Sequence, residues 1–294
     1  MGYSFRKYQG LGNDYLVCTK DVFDRLGLDS RSIPRICDRH YGVGADGILV
    51  WTGNTDSIFS LRIFNPDGSE AEKSGNGLRI FSRYLFDLGK VGESSFKVAT
   101  SGGVVDCHIL DNGKRVRVNM GQACFASSKI PVLVKSQEVL EYPQYIDERL
   151  FYLNCVSIGN PHCVIFENSV KADDAKLWGA KLETLPIFPN RTNVQFAEVI
   201  DRNNIRIEIW ERGAGYTLAS GSSSCAAASV AYKRGLCNNV IFVHMPGGTM
   251  SIQLSNNFDV EMTGNVQSIA DIKIHEECFY QPELPQIKSN PRGR

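Results

Sequence analysis

Two stretches decide the fold of this 294-residue chain: SGNGLRIFSRYLFDLG at residues 74–89 and SGSSSCAAASVAYKRG at residues 220–235. Each begins with serine, a residue that caps helix N-termini well, and ends fifteen residues later with glycine, which suits a C-terminal cap. The pattern predicts helices over 78–88 and 224–234. Ser74 and Ser220 would open them, and Gly89 and Gly235 would end them.

The similarity continues beyond both helices. A predicted strand follows each one, and then a glycine pair, Gly102-Gly103 or Gly247-Gly248, leads into a hairpin. The predicted strands of these regions lie at 95–100, 104–110, 115–119, 205–210, 240–245 and 250–254. This repeat is displaced by 146 residues, a period too long for a solenoid. It predicts an α+β fold of two similar domains, each a sheet around or beside one central helix, related by a pseudo-twofold axis.

The domain boundary is expected near residues 123–131, after the first predicted hairpin. It gives a first domain over 1–125 and a second over 126–268. The tail, 281–294, contains three prolines and no apolar periodicity, so we expect it to be flexible. Within the first hairpin, Asp111-Asn112-Gly113 predicts a two-residue turn, because Asn-Gly tolerates the positive φ values that such turns need.

Composition excludes several classes of function. The chain has 32 basic and 32 acidic side chains and no net charge, which argues against a broad nucleic-acid surface or a polybasic membrane patch. No apolar run reaches the roughly 18 residues that span a bilayer, and the first residues lack the apolar core of a signal peptide. We therefore expect a soluble, cytoplasmic protein that has neither nucleic acid nor a membrane as its partner.

Neither a metal nor a nucleotide cofactor is indicated. The nine cysteines are odd in number and show no Cys-x-x-Cys pair or zinc-ligand spacing, so they are expected to be unpaired and free of metal. The string GVGADG at 42–47 matches a dinucleotide-binding pattern, but an apolar strand at 48–51 follows where a helix should begin. The sequence therefore predicts neither a metal nor a dinucleotide cofactor.

The two serine-led helix starts are the leading candidates for a site. A helix N-terminus offers free N–H groups and a partial positive charge, so two facing termini could hold one carboxylate with a serine on each side. The alternative is that Ser74 and Ser220 cap only their own helices; their duplication favours the site. Polar residues that interrupt apolar segments could complete it as the contacts of a zwitterionic amino acid, although each alone fits a turn.

These residues carry a resemblance. The chain resembles the diaminopimelate epimerase family along nearly its whole length. The matching blocks are GLGND at 10–14, GVGADG at 42–47, NPDGSE at 65–70, SGNG at 74–77, GNPH at 159–162, RTNV at 191–194, ERG at 211–213 and TLASG at 217–221. The resemblance implies two domains, each a curled, mostly antiparallel sheet around a central helix, with the segment 269–280 returning to the first domain. It also implies a homodimer and no cofactor.

The implied activity is an isomerase reaction, inversion at the α-carbon of LL-diaminopimelate to the meso form, in lysine and peptidoglycan precursor biosynthesis. Such enzymes use two cysteines, a thiolate that removes the α-proton and a thiol that returns one from the other face. In this chain the matching positions are Ser74 and Ser220, with His162 and Glu211 in the positions that support the two bases. The residues that match substrate contacts or the cradle of the α-carboxylate are Asn13, Asn65, Gly75, Asn76, Asn160, Asn193, Glu211, Arg212, Gly221 and Ser222. Gly47 stands where some members have glutamine.

The serines leave three explanations open. The chain is an engineered double Cys→Ser variant that holds substrate without turnover, a natural relative with altered chemistry, or a binding-only pseudoenzyme. A serine hydroxyl is a far weaker acid than a thiol, so we expect intact binding and little turnover. A racemase of another amino acid on the same scaffold is the alternative within the enzyme class. Arg212 together with the asparagines favours a substrate with a distal zwitterionic centre.

Overall fold

A computed structural model describes residues 3–279 of the chain. The helices are α1 Lys20–Arg25, α2 Ser32–Cys37, α3 Gly75–Asp87, α4 Ala172–Glu183 and α5 Gly221–Lys233, with a short 3₁₀ turn at Glu276–Phe279. The strands of the first half are β1 Tyr3–Gly10, β2 Asn13–Thr19, β3 Ile48–Thr55, β4 Ile58–Phe64, β5 Glu70–Ala71, β6 Phe96–Thr100, β7 Gly103–Leu110 and β8 Arg115–Gln122. The remaining strands are β9 Tyr142–Ile146, β10 Arg149–Ser157, β11 Pro161–Phe166, β12 Asn193–Asp201, β13 Asn204–Glu211, β14 Gly215–Thr217, β15 Val240–Met245, β16 Gly248–Leu254, β17 Asp259–Asn265 and β18 Gln267–Ile274.

The two predicted helices are α3 and α5, and their caps follow the sequence. Ser74 and Ser220 have extended backbones, and their hydroxyl oxygens accept hydrogen bonds from the backbone N–H three residues on, at 3.0 Å and 3.4 Å. At the other ends, Gly89 and Gly235 have φ values of 66° and 68°, the left-handed conformation that ends a helix. Each helix begins three residues earlier than predicted, because the Ser-Gly segment already forms its first turn.

The two halves repeat one pattern of strand pairing. In the first, β1–β2 is antiparallel, β2–β3 parallel, β3–β4 antiparallel, β4–β6 parallel, and β6–β7 and β7–β8 antiparallel. In the second, β10–β11, β11–β12, β12–β13, β13–β15, β15–β16 and β16–β17 follow the same alternation. This shared topology confirms the prediction of two similar, sheet-dominated α+β domains.

The halves are joined edge to edge. Strand β8 pairs antiparallel with β17, and β18, the last strand described, pairs with β1 at the start of the chain. The domain limits at residues 125 and 268 and the assignment of 269–280 to the first domain stay predictions. The predicted flexible tail, 281–294, lies outside the described residues. No helix within 3–279 is long and apolar enough to cross a membrane.

The core lies between the sheets and the two central helices. Both helices are buried almost all round, α3 through large side chains such as Phe81 and α5 through alanine, serine and Cys225. Leu16 and Val17, neighbours on β2, enter different clusters because alternate side chains of a strand point to opposite faces. The outer faces are covered by α1 and α2 in the first half and by α4 in the second. This arrangement leaves the starts of α3 and α5 at the junction of the halves.

One local prediction was wrong. The turn between β7 and β8 has four residues, 111–114, rather than two, because Leu110 pairs with Arg115. Asp111, Asn112 and Gly113 all have positive φ, of 52°, 53° and 82°. The sequence signal for positive φ was therefore correct, but three such residues in succession make a longer loop.

Candidate active site

The starts of the two central helices meet. A Cβ placed on Gly75 would lie 3.5 Å from the Cα of Gly221, and one placed on Gly221 would lie 3.4 Å from the Cα of Gly75. The same added atoms would lie 2.7 Å from Cε and 3.1 Å from Sδ of Met262, a fully buried residue of β17. A side chain at either position would displace the thioether of Met262 and would make van der Waals contact with the backbone of the facing helix start. Glycine allows both N-termini to approach the same point.

A cleft of about 900 Å³ opens at this point. Eleven of the site residues predicted from the sequence line it: Asn13, Asn65, Ser74, Gly75, Asn76, Asn160, Glu211, Arg212, Ser220, Gly221 and Ser222. The other two, His162 and Asn193, do not line it. They are 0% and 6% exposed and lie behind the wall of the second half.

The hydroxyl of Ser74 lies between its helix and a phenol. Its oxygen accepts the N–H of Gly77 at 3.0 Å, and Tyr15 Oη lies 3.4 Å away. Burial raises the pKa of Tyr15 to about 12, so the phenol stays protonated at neutral pH. A backbone amide and a protonated phenol are both poor bases, so neither neighbour can activate the Ser74 hydroxyl.

Ser220, on the other side, is accompanied by a carboxyl group. Burial raises the pKa of Glu211 above its usual value, and the nearby hydroxyls of Ser220 and Thr217 offset only part of that shift. Glu211 ends β13, directly before the turn that carries Arg212 into the cleft. A carboxylate whose ionised form is disfavoured attracts a cation or a proton, so Glu211 suits either an ammonium group or proton exchange with Ser220.

His162 supports the wall of the cleft rather than its surface. It lies on β11, and Nε2 is 2.9 Å from Oδ1 of Asn160, which lines the cleft. Its Nδ1 has no hydrogen-bond partner among residues 3–279. Burial lowers the pKa of His162 to about 3, and the nearby Gln195 offsets only part of that shift. The imidazole is therefore neutral at physiological pH and positions Asn160.

This pKa predicts how stability depends on pH. In the unfolded chain a histidine has a pKa of about 6.5, so the unfolded state binds more protons than the folded state between about pH 6.5 and pH 3. The free energy of unfolding should fall as the pH drops through this window. His162→Asn should flatten the dependence, which urea unfolding at several pH values would measure. An unchanged slope in the variant would contradict a buried neutral His162.

A chain of amides lines the first half of the cleft. Asn13 donates to Asp46 at 2.8 Å, Asn76 donates to Asn13 at 3.0 Å, and Arg79 donates to Oδ1 of Asn76 at 2.8 Å. Asp46 is in turn paired with Arg39 at 2.8 Å. Each amide therefore has a fixed orientation, set by charged groups at both ends of the chain.

In the second half, Asn193 holds two loops together. It donates to the backbone oxygen of Pro161 at 2.8 Å and accepts the backbone N–H of Arg212 at 3.0 Å. The exposed guanidinium of Arg212 has one described bond, to the backbone oxygen of Asn190 at 3.0 Å, so most of its donors remain available to a ligand. Asn193 thus positions Arg212 rather than lining the cleft itself.

Sequence reasoning missed several residues that line the cleft, among them Tyr15, Arg39, Asp46 and Lys73. Tyr15 and Asp46 adjoin or lie within the matching blocks, which was a usable signal. Lys73 had none. It is half-buried, burial lowers its pKa, and Nζ donates to the backbone oxygen of Met120 at 3.3 Å. Among residues 3–279, no group of three or more His, Cys, Asp or Glu side chains is arranged to hold a metal ion.

Gly47 cannot carry the side chain that some family members have there. Its φ is 155°, and an added Cβ would lie 2.3 Å from the backbone oxygen of Phe64 and 2.7 Å from the ring of Tyr15. Glutamine would clash with backbone at this position. In this chain the ring of Tyr15, the neighbour of Ser74, occupies the space that a side chain at position 47 would need.

The fold defines the class. The fold of two similar, sheet-dominated domains is shared with proline racemases and PhzF-family proteins. A probable proline racemase from Agrobacterium radiobacter superposes with a TM-score of 0.68 at 14% identity, covering 94% of both chains. A hydroxyproline epimerase from Agrobacterium vitis gives 0.68 at 13% identity, covering 94% of this chain and 93% of the other. At these identities the likeness concerns the fold alone.

Sequence comparison identifies the family. The diaminopimelate epimerase family profile matches residues 5–126 and 154–269. Diaminopimelate epimerase 2 from a Nostoc species is 51% identical over 276 residues, covering 94% of this chain and 96% of the relative. A diaminopimelate epimerase from Halothermothrix orenii is 37% identical over 281 residues, covering 93% and 98%. The chain belongs to the diaminopimelate epimerase family.

Proposed function

We propose that the chain is an isomerase scaffold that binds diaminopimelate and interconverts its LL and meso forms, a step of lysine and peptidoglycan precursor biosynthesis. The observation that carries the proposal is the meeting of two serine-capped helix starts in one cleft. The first N–H groups of each helix have no acceptor within the helix. Those of Gly75, Asn76, Gly221 and Ser222 would therefore hold the α-carboxylate of the substrate.

With the carboxylate held there, the α-carbon lies between Ser74 and Ser220, one on each face. Removal of the α-proton places negative charge on the α-carbon and its carboxylate, and two helix dipoles pointing at that carboxylate stabilise the charge. Delivery of a proton from the opposite face inverts the centre. The distal ammonium and carboxylate would be bound by Glu211, Arg212 and the asparagines of the cleft.

The serines support a slow form of this reaction. At neutral pH both hydroxyls are protonated, so the two side chains that face the α-carbon are proton donors and neither is a strong base. The same feature favours the second candidate, an amino-acid-binding pseudoenzyme. We further propose a cytoplasmic homodimer, following the family; sedimentation analysis tests the dimer.

Substrate identity can be tested by calorimetry. LL- and meso-diaminopimelate should bind more tightly than α-aminoheptanoate, which has the same chain length without the distal amino and carboxyl groups. Arg212→Leu should reduce affinity for diaminopimelate about tenfold or more and leave that for α-aminoheptanoate unchanged, because only the former has a distal carboxylate. Equal affinity of the native chain for both ligands would favour a racemase of another amino acid.

A further inference from the structure

The observation concerns Arg79, one turn into α3. Its side chain is 0% exposed, and it is among the largest fully buried side chains of the described residues. One terminal nitrogen donates to Oδ1 of Asn76 at 2.8 Å, and the other faces the sulfurs of Met250 and Met262 at 3.9 Å and 3.7 Å. Nε has no hydrogen-bond partner within residues 3–279. The guanidinium is therefore only partly satisfied.

The packing around Arg79 is built to hold this side chain. A Cβ on Gly264 would lie 3.0 Å from Nε, and one on Gly10 would lie 3.3 Å from a terminal nitrogen. Glycines on two strands thus make room for the guanidinium between the halves. The guanidinium lies beside these glycines and the sulfurs of Met250 and Met262, without exposure to solvent.

No anion of the described chain neutralises it. Arg79 takes part in none of the ion pairs formed among residues 3–279. The nearby thiol of Cys225 stays protonated, because burial raises its pKa to about 12. Burial lowers the pKa of Arg79 to about 10, which still leaves it charged at neutral pH. Burying an uncompensated cation is costly, so an anion is expected nearby in the working protein.

The position of Arg79 indicates which anion. It lies three residues after Asn76, on the same side of the helix, and Asn76 belongs to the helix start that lines the cleft. Because Arg79 donates to Oδ1, the acceptor oxygen of Asn76 is turned into the protein and away from any carboxylate. The amide nitrogen is used by Asn13. The start of α3 therefore presents only backbone N–H donors and a positive potential to the cleft, which suits an anion.

We propose that Arg79 is a positioning residue for the α-carboxylate: it fixes the amide of Asn76 and supplies, through the start of α3, a positive charge whose counter-ion is the substrate. The inference rests on the proposed function, since the anion is the α-carboxylate of that substrate. As the α-proton leaves, negative charge on this carboxylate grows, so the interaction is stronger in the transition state than in the bound substrate.

The alternative is that Arg79 only fills space between the halves. Arg79→Lys and Arg79→Gln separate the two roles, because both shorten the side chain and keep a donor but only lysine keeps the charge. We expect the lysine variant to bind LL-diaminopimelate within a few-fold of the native chain and the glutamine variant to lose about tenfold or more. Without ligand, the glutamine variant should be the more stable of the two, because burying an ammonium group costs more free energy than burying an amide.

A matched control lies on the same helix. Arg83 is one turn further on, is paired with Asp87 at 2.8 Å and donates to the backbone oxygen of Gly113. Arg83→Gln removes a cation of α3 whose charge is already compensated, so affinity should stay within twofold of the native value. A loss equal to that of Arg79→Gln would show that any cation on α3 matters and would overturn the assignment.

A kinetic measurement completes the test. In the Ser74→Cys, Ser220→Cys background, Arg79→Gln should lower kcat by a larger factor than it raises KM. A packing defect alone is not expected to produce this difference. Full affinity and kcat in a folded Arg79→Gln variant would overturn the inference. Should Arg79→Lys not fold, the glutamine variant alone decides, through its affinity and this split.

The two proposals fail separately. If the native chain binds another α-amino acid and not diaminopimelate, the proposed function fails, and Arg79→Gln is then measured with the amino acid that binds. If the native chain binds no α-amino acid from a panel of L- and D-isomers by calorimetry, the assignment of the counter-ion is wrong as well.

Discussion

Changing both serines to cysteine is expected to convert a protein that inverts its substrate slowly into an active epimerase. In Ser74→Cys with Ser220→Cys, the rate of inversion of LL-diaminopimelate should rise by about 10²–10⁴-fold, the range that a positioned general base supplies. A free thiol has a pKa of about 8.5, and a helix N-terminus lowers it. The backbone N–H of Gly77, which now bonds to the serine oxygen at 3.0 Å, would stabilise the thiolate.

The assay is α-proton exchange in deuterated water, followed by NMR alongside stereoisomer analysis. Either single cysteine variant should exchange the α-proton from one face, because that half-reaction needs one base, but should invert the centre poorly. The native chain serves as the reference, with binding measured on all forms to show that affinity is unchanged. Fast inversion by the native chain would refute the claim that serine disables it, and would indicate Glu211 as the working base.

Glu211→Gln should weaken binding while it stabilises the fold. The change keeps the size and removes the carboxylate that would face the substrate ammonium, so affinity should fall about 10–100-fold, the range for a hydrogen bond to a charged group. Burial raises the pKa of Glu211 in the folded state. A buried carboxyl group with a raised pKa destabilises the folded state once it ionises. The folded state therefore keeps its full stability below the pKa of the unfolded chain and loses part of it as the pH rises through the pKa of the folded state. The variant should therefore gain stability relative to the native chain as the pH rises.

Urea unfolding near pH 4.5 and pH 8 measures the change in stability, and calorimetry measures the change in affinity. Glu208→Gln is the matched control. Glu208 lies on the same strand, accepts a hydrogen bond from Tyr216 at 2.7 Å and does not line the cleft. It should leave affinity unchanged. A Glu211→Gln variant that binds diaminopimelate as tightly as the native chain would remove Glu211 from the proposed site.

The sequence predicted what local chemistry controls. Serine caps and glycine stops located α3 and α5, and the matching order of strands and turns predicted the duplicated fold. The sequence could not predict how far each residue lies from the surface of the cleft. His162 and Asn193 belong to the matching blocks but lie behind the cleft, because their distance from it depends on how β11 and β12 pair within the sheet. The burial of Arg79 likewise depends on how α3 packs against β1 and β17, which the order of residues along the helix does not show.

The edge-to-edge joining of the halves has a consequence for synthesis on the ribosome. The first half emerges with one edge of each outer strand unpaired, because β8 later pairs with β17 and β1 with β18, the last strand described. Unpaired strand edges are templates for aggregation. The nascent chain therefore exposes two strand edges until β17 and β18 have left the exit tunnel, and during that interval these edges are its sites of greatest aggregation risk.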